Sequence, residues 1–184
     1  MSEDKERLTE INKFLKKQNQ AVMKMLEGYA ALHFFYQQLF TKRSKEEVSK
    51  LLFEFIENVF TKIEREVQTA LFFSNPQTFE FNAFMTHPAG LNKEGFEGQL
   101  FSQTEKGVVG WSITNQKISF FSSPENNQFP HGLLLPLFTP SKTLGMLLIN
   151  FDSDASFITH ETMQILELAC SQASLIIDNL SFVE

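Results

Sequence analysis

The first forty residues carry apolar side chains at alternating intervals of three and four positions. Gln18 is the one polar member of the series, which consists of Leu8, Ile11, Leu15, Gln18, Val22, Met25, Tyr29, Leu32, Tyr36 and Leu39. This spacing, sustained over about five heptads, predicts a coiled coil, and the alternative is a long amphipathic helix that lies on its own domain. We expect residues 1–43 to form a helical arm whose apolar stripe is a dimer interface.

A second amphipathic helix is predicted after the heptad pattern breaks at residues 41–44. Ser44 and Glu47 have the spacing of a capping box, which satisfies backbone N–H groups at the start of a helix. Apolar residues then occupy one face of the helix, at Val48, Leu51, Leu52, Phe55, Ile56, Val59, Phe60, Ile63 and Val67. A helix with a single face of this kind is expected to cover a sheet.

The apolar period then shortens to two, which is the period of a β-strand. The predicted strands are residues 70–74 and 78–85, joined by a turn at 75–77, followed by 117–121, 133–138 and 144–151. The last two are continuously apolar, so both faces of the sheet should be covered there. Pro136 predicts an edge or a strand end. Residues 86–106 have no clear period and are predicted to form a long loop with at most one helical turn, and residues 108–114 a short helix.

The final helix is predicted to begin at Thr159, a good N-cap residue, and to end near Phe182. Its first apolar stripe is Leu166, Ala169, Ala173, Ile177 and Leu180, and its second is Ile165, Leu168, Gln172, Leu175, Asn179 and Phe182. A helix that covers only its own sheet needs one stripe. The second stripe predicts another partner, which is the N-terminal arm, a second subunit or both. We therefore add to the predicted dimer interface Ile165, Leu168, Gln172, Leu175 and Phe182.

Composition places the chain among single-domain proteins with an appendage. It has 184 residues, of which 42% are hydrophobic, with 21 Phe against 2 Tyr and 1 Trp. We interpret the phenylalanines as core residues, and the alternative is an aromatic-lined cavity. The longest apolar runs are far shorter than the ~18 residues of a membrane span, so no span is expected. With one cysteine and no signal peptide pattern, a cytoplasmic location is the expectation.

Charge is distributed unevenly along the chain. Residues 1–65 hold 12 Lys and Arg against 10 Asp and Glu, whereas residues 66–184 hold 4 Lys, no Arg and 12 Asp and Glu. The second part therefore lacks the basic surface of a nucleic-acid binder, and no nucleic-acid partner is expected. It also lacks the guanidinium groups that bind phosphates in pairs of hydrogen bonds.

Five motifs in the last part of the chain follow one another in a recognisable order. They are Gly-Val-Val-Gly-Trp at 107–111, Leu-Pro-Leu at 135–137, Gly-Met-Leu at 145–147, Phe-Ile-Thr-His-Glu at 157–161 and Leu-Ala-Cys-Ser-Gln-Ala-Ser at 168–174. Their order resembles that of a GAF domain, which would span residues 44–184. The resemblance implies an α+β fold with an antiparallel sheet of about five to six strands. The N- and C-terminal helices would pack on one face, with loops and short helices over a pocket on the other.

Several ligands of GAF domains are disfavoured by this sequence. Only Asn150-Phe151-Asp152 is similar to the signature of cyclic-nucleotide-binding members, and its spacing is wrong. Bilin-binding members and methionine sulfoxide reductases use loop cysteines, whereas Cys170 lies within a predicted helix. The histidines, His33, His87, His131 and His160, do not have metal-ligand spacing. We expect no metal, no cofactor and no enzymatic activity.

Two functions remain open after these exclusions. The first is a sensor that binds a small, weakly charged organic molecule and acts through its terminal helices. Its predicted lining consists of Phe101, Trp111, Phe120, Phe121 and Phe138, with Asn127 and His131 as polar contacts. The second is a ligand-free dimerisation scaffold that recruits a partner protein. Under both hypotheses the chain is a homodimer, has no output domain and acts through another protein.

Overall fold

The computed structural model describes residues 2–78, 80–124 and 126–181, and contains five helices and five strands in these ranges. The helices are α1 Ser2–Leu39, α2 Lys45–Thr61, α3 Lys93–Glu105, α4 Val108–Asn115 and α5 His160–Leu180. The strands are β1 Val67–Ser74, β2 Phe81–His87, β3 Ser119–Ser122, β4 His131–Thr139 and β5 Lys142–Phe151. They form one antiparallel sheet in the order β2-β1-β5-β4-β3, so the predicted α+β fold is confirmed.

Helices cover both faces of the sheet because its central strands are apolar on both sides. In β4, Leu133, Leu135 and Leu137 face a layer built from α1, α2 and α5. Leu134, between them in sequence, faces the opposite layer, to which α3 and α4 contribute. All four leucines are at most 1% exposed. Continuous apolar strands therefore predicted this two-sided burial correctly.

The predicted starts of two helices are confirmed by their capping hydrogen bonds, whereas the predicted end of the last helix near Phe182 lies outside the described residues. The backbone N–H of Glu47 donates to Ser44 Oγ over 3.2 Å at the start of α2. The backbone N–H of Thr162 donates to Thr159 Oγ1 over 3.2 Å at the start of α5. Each bond satisfies an N–H that has no partner within the helix. The cap of α5 fixes where the chain leaves the sheet and returns to the helical layer.

Pro136 lies at a local edge, as its lack of an N–H predicted. It pairs with Met146 of β5 on one side, while the pairing of β3 with β4 ends at Leu134. The other side of β4 at this position therefore needs no donor from the proline.

The prediction of a long loop at residues 86–106 is wrong, because 93–105 forms α3. Phe96 and Leu100 are the buried apolar positions of this helix, and two glycines, Gly95 and Gly98, lower its helix propensity. The periodic signal is consequently weak. Tertiary packing of Phe96 and Leu100 against the sheet supplies the stability that the local sequence does not.

The heptad helix α1 changes its environment along its length. Leu32, Phe35 and Leu39 lie in the core between α1, α2 and α5, at 1% to 4% exposure. In contrast, the earlier apolar heptad positions are 40% to 61% exposed, namely Leu8, Ile11, Leu15, Val22, Met25 and Tyr29. The last three positions of the predicted stripe on α1, Leu32, Tyr36 and Leu39, thus pack within their own protomer, and the positions from Leu8 to Tyr29 remain exposed in the single chain.

Gly28 marks the position at which α1 crosses α5. A Cβ atom at this residue would lie 2.5 Å from Cδ1 of Ile165. The glycine therefore permits a close helix–helix approach, and its low helix propensity is a secondary cost.

Among the described residues, no helix combines the length and apolar character that crossing a lipid bilayer requires.

We predict that Gly145→Ala severely destabilises the protein. A Cβ at this position in β5 would fall on the backbone carbonyl of Phe72 in β1, which has no flexible side chain to move aside. Overpacking of this kind should lower the free energy of unfolding by about 3 kcal/mol or more, measured by urea denaturation.

Gly110→Ala is the matched control for this substitution. Gly110 lies in α4 with no atom within 4 Å of its virtual Cβ, so alanine should raise stability by about 0.5–1 kcal/mol through helix propensity. Equal unfolding free energies for the two variants would contradict the close packing of β1 against β5.

Candidate functional site

A groove of about 870 Å³ lies between α3 and the sheet, on the face opposite α1, α2 and α5. Polar, uncharged side chains dominate its lining, which consists of Gln68, Leu91, Asn92, Gly95, Phe96, Gly98, Gln99, Ser102, Ser123, Asn126, Asn127, Gln128 and Asn150. Its place in the fold agrees with the pocket that the GAF resemblance implied. Its chemistry differs from the aromatic lining that the sequence analysis predicted.

Two amide side chains from neighbouring strands form the floor of the groove. Gln68 of β1 and Asn150 of β5 are directly paired across the sheet. They lie on the same face as Ala70 and Leu148, the next pair along, which contact the α3–α4 layer. Asn150 is 1% exposed, so the fold buries an amide at the end of an otherwise apolar strand.

Helix α3 forms the roof because one of its faces is apolar and packs on the sheet, whereas the neighbouring face is polar and borders the groove. Asn92 caps it by accepting a hydrogen bond from the backbone N–H of Glu94 over 3.1 Å. Phe96 and Leu100 anchor the helix on the apolar part of the sheet. Residues at helical spacing on the neighbouring face, Gln99 and Ser102, then border the groove.

The remaining wall is the loop from Ser123 to Pro130, which internal hydrogen bonds hold in shape. The backbone N–H of Ser123 donates to the carbonyl of Pro130 over 2.7 Å, closing the loop at its base. The N–H of Phe129 donates to Asn126 Oδ1 over 3.0 Å. Asn127 and Gln128, between these anchors, are exposed and line the groove.

Asn150 and Gln99 join the floor to the roof through one hydrogen bond. Asn150 Nδ2 donates to Gln99 Oε1 over 2.9 Å. Asn150 Oδ1 and Gln99 Nε2 are both buried and have no partner in the protein. Both atoms are fully buried, so they lie beneath the surface of the groove.

The chemistry of this lining suits binding better than catalysis. Amide and hydroxyl side chains do not ionise near neutral pH, and none of the described lining residues carries a formal charge. Among the residues that the structure describes, no three His, Cys, Asp or Glu side chains lie close enough together to hold a metal ion. The groove is therefore suited to a neutral molecule that forms hydrogen bonds.

Of the predicted lining residues, Asn127 borders the groove. Phe121 lies on the correct face but is buried beneath α3 and α4 in the core. Phe101 on α3 and Trp111 on α4 are 64% and 53% exposed and do not border the groove.

The other three predicted lining residues, Phe120, His131 and Phe138, do not border the groove. Phe120 pairs with Leu133 and so lies on the face of the sheet that α1, α2 and α5 cover, opposite the groove. The His131 ring stacks on Phe151 of the same layer with centroids 6.3 Å apart. Phe138, after a bulge in β4, borders a separate cleft beside α5. These corrections have one cause, since a strand's register decides which face each residue takes.

The sequence analysis missed Gln68, Gln99 and Asn150. Asn150 offered a signal, because an amide that interrupts an apolar strand must find a buried partner. Gln99 and Gln68 offered little, since single glutamines in a segment predicted as loop or at a strand end are ordinary surface residues.

A second groove, of about 530 Å³, opens on the helical layer. It lies where α1 separates from α2 and from the start of α5. Val22 and Met25 of α1 face Val59 and Ile63 of α2 across it, with Ile165 at its inner end. The exposed apolar stripe of α1 therefore continues into this groove.

Cys170 is a buried thiol in α5 and is 2% exposed. Burial, assisted by the nearby charge of Glu167, raises its pKa to about 12. The thiolate is the reactive form of cysteine, so the pKa makes this side chain an unreactive core residue, as the sequence predicted.

No protein-family model matches this sequence, and a search of curated proteins finds no match. Solved structures do match it. The GAF domain of a phosphoenolpyruvate-protein phosphotransferase from Coxiella burnetii aligns with a TM-score of 0.65 and 14% identity, covering 86% of this chain and 97% of that one. The corresponding Acinetobacter domain aligns at 0.61 and 17%, covering 85% and 96%.

A further match is the GAF domain of the potassium sensor histidine kinase KdpD from Escherichia coli. It aligns with a TM-score of 0.52 and 16% identity, covering 83% of this chain and 94% of that one. At these identities the likeness shows the fold: the chain has the fold of a GAF domain, as the order of its motifs predicted.

We predict that the native protein does not react with the disulfide reagent DTNB, whereas the unfolded chain releases one equivalent of product. The physical reason is the burial and raised pKa of Cys170, the one cysteine of the sequence. Because the folded pKa of about 12 exceeds the ordinary 9.0, stability should be unaffected below pH 9.0 and should fall as pH rises towards 12.

Absorbance after addition of DTNB, with and without guanidinium chloride, provides the measurement. A Cys170→Ala variant gives the zero level in both solutions. Rapid reaction of the native protein would show that α5 does not seal this thiol against the sheet.

Proposed function

We propose that this chain is a non-catalytic sensory module that binds a small neutral molecule in the groove beneath α3 and transmits occupancy through α1 and α5. The observation that carries the proposal is the groove itself, which combines uncharged amide and hydroxyl side chains with the apolar surface of Phe96 and Leu91. Similar structures include the GAF domains of a sensor kinase and of phosphotransferases, which is consistent with a regulatory role.

The size and position of the groove support ligand binding. Its volume of about 870 Å³ falls within the range of ~300–1,000 Å³ found for small-molecule sites. Phe96 and Leu91 provide apolar surface, while the amides provide specific polar contacts. This combination is typical of sites in which shape gives affinity and a few polar groups give orientation.

A short path of packed residues connects the groove with the helical layer. Asn150 in the groove is followed by Phe151, whose side chain lies on the opposite face of β5. The Phe151 ring packs edge-on against Phe157, 5.3 Å away between centroids, just before α5. Arg65 also covers the Phe157 ring at 5.1 Å and pairs with Asp152 at 3.9 Å. A displacement of the end of β5 by ligand would therefore act on the start of α5.

The exposed stripe of α1 supports a homodimer. Its apolar heptad positions from Leu8 to Tyr29 are 40% to 61% exposed in the single chain. Apart from Arg7 at its start, the positions that flank this stripe are uncharged, namely Asn12, Phe14, Asn19, Ala21, Leu26 and Gly28. Two identical helices can therefore pair without like charges meeting at the flanking positions, where coiled coils usually select their partners.

The alternative function is a ligand-free dimerisation scaffold that recruits a partner protein. The exposed stripe of α1 favours it independently of the groove, as do Leu168 and Leu175, which are 42% and 38% exposed on α5. In this version the amides of the groove hold water, which supplies both a donor and an acceptor.

We predict that native mass spectrometry of the purified protein finds an additional small mass per protomer, which is lost on denaturation. Gly98→Phe should abolish that mass, because Gly98 lines the groove and its virtual Cβ enters open space that the ring would fill. Gly110→Phe, on α4 outside the groove, is the control and should retain the bound molecule. Bare polypeptide mass in all three proteins would favour the scaffold.

We predict that Leu15→Glu weakens dimerisation at least about tenfold, because it places a charge in the apolar seam. Sedimentation velocity over a range of concentrations measures the change. Gln20→Glu adds the same charge on the opposite side of α1 and should leave the dimer intact. A monomeric parent protein, or equal effects of both substitutions, would exclude α1 as the seam.

A further inference from the structure

Gln18 is the one polar residue within the exposed apolar stripe of α1. In heptad notation the a positions of this stripe are Leu8, Leu15 and Val22, and its d positions are Ile11, Gln18 and Met25. When two copies of the helix pair through the stripe, all of these side chains enter the seam between them. An amide in an apolar seam costs free energy unless another polar group lies opposite it. In coiled coils a single residue of this kind fixes how the helices align.

One alignment of two α1 helices places Gln18 opposite itself. In a parallel coiled coil each layer joins equivalent positions, so an in-register pair brings the two Gln18 side chains together. A shift by one heptad puts Ile11 or Met25 opposite the amide instead. In an antiparallel coiled coil each layer joins an a position to a d position, so Gln18 meets an apolar a residue such as Leu15 or Val22. Two primary amides can exchange a hydrogen bond, whereas an apolar residue leaves the amide unsatisfied.

The flanking residues are compatible with the parallel, in-register alignment. In this arrangement each g position of one helix faces the following e position of the other. The facing pairs are Arg7 with Asn12, Phe14 with Asn19 and Ala21 with Leu26. No pair brings like charges together, and the one charged member, Arg7, faces an amide that can accept its hydrogen bonds.

The domain presents an exposed surface that continues this seam. Beyond residue 28 the d positions Leu32 and Leu39 pack within their own protomer, and the exposed face of α1 moves to a and e positions. This face consists of Leu26, Tyr29, His33 and Phe40. Tyr29 lines one cleft with Leu168 of α5, and Leu175, two turns further along α5, is also exposed. Parallel helices bring these surfaces of two copies into one continuous interface, whereas antiparallel helices place them at opposite ends of the seam.

We propose that two copies of this chain pair through α1 in parallel and in register, with the Gln18 side chains of the two subunits opposite each other and the exposed faces of α5 adjoining. The inference rests on the homodimer of the proposed function and adds its orientation. Both domains then lie at the same end of the paired helices. Occupancy of either groove therefore reaches the same bundle of helices through its own α5.

Single cysteines near the two ends of the seam distinguish the orientations. Leu8→Cys and Met25→Cys replace side chains that are exposed in the single chain. In the parallel pair each position faces its equivalent, so each variant should become mostly disulfide-linked dimer in a glutathione redox buffer. In the antiparallel pair that joins position 8 to position 25, equivalent positions lie roughly 26 Å apart, beyond the ~7 Å that a disulfide spans between Cα atoms.

Two controls accompany the cross-linking. A mixture of the two variants, resolved by mass, forms a link between positions 8 and 25 only in the antiparallel pair. The parent protein gives the background, because its one cysteine, Cys170, is buried. Self-linkage at both positions also places Gln18, which lies between them, opposite itself.

A spin-label distance tests the orientation without changing the seam. Phe34 is 62% exposed and lies on the side of α1 that faces away from the stripe. In the parallel pair, labels on Phe34→Cys are separated by the width of two helices, roughly 20–24 Å. In the antiparallel pair they are roughly 50 Å apart along the helix axes. Double electron–electron resonance separates these two distances.

The possible results separate this inference from the proposed function. Self-linkage at positions 8 and 25 together with the short label distance supports the parallel pair. Linkage in the mixture or the long distance overturns it and leaves the homodimer in place. A dimer that shows neither linkage nor the short distance also overturns it, because α1 is then not the seam. A parent protein that is monomeric in sedimentation velocity removes the homodimer itself, and the mass of the natural complex then decides ligand binding in the groove.

Discussion

The need to bury both faces of the central strands governs the architecture of this protein. Strands β4 and β5 are apolar on both sides, so one helical layer leaves half of their side chains in water. The layer of α1, α2 and α5 covers one face, and α3 with α4 covers most of the other. The groove lies where this second cover ends, and Asn150 is the polar residue that β5 places there. The groove is thus a consequence of incomplete coverage, and its floor belongs in part to β5, the central strand of the sheet.

The sequence predicted the elements well where a pattern had a single physical cause. Hydroxyl caps at Ser44 and Thr159 gave the correct helix starts, and the apolar run around Leu148 gave β5 except for its first two residues, because local chemistry determines these features. Helix α3 was missed because its stability comes from Phe96 and Leu100 packing on a sheet formed by distant segments. Local propensity contains no information about that partner.

The site was harder to predict than the fold, and the residues show why. Phe120 and Phe121 are neighbours, yet a one-residue step places them on opposite faces of β3. The sequence analysis interpreted the phenylalanines as core residues, and the buried ones do fill the two cores. Its predicted pocket lining was nevertheless mostly aromatic. The polar residues that do meet in the groove come from β1, α3, β5 and one loop, and only the register of the sheet brings them together.

The crossing of α1 over α5 at Gly28 divides α1 into a packed segment and a long exposed segment, so a small rotation at the crossing moves the exposed end much further. Residues beyond Gly28 are held in the core, while residues 2–27 extend from the contact for about 39 Å at ~1.5 Å per residue. A rotation of α1 by about 5° about this crossing would move the far end of the helix by roughly 3 Å. This motion is of the order of the small helix shifts of known switching proteins. A change too small to disturb the packed core would thus become large at the surface that a second molecule would meet.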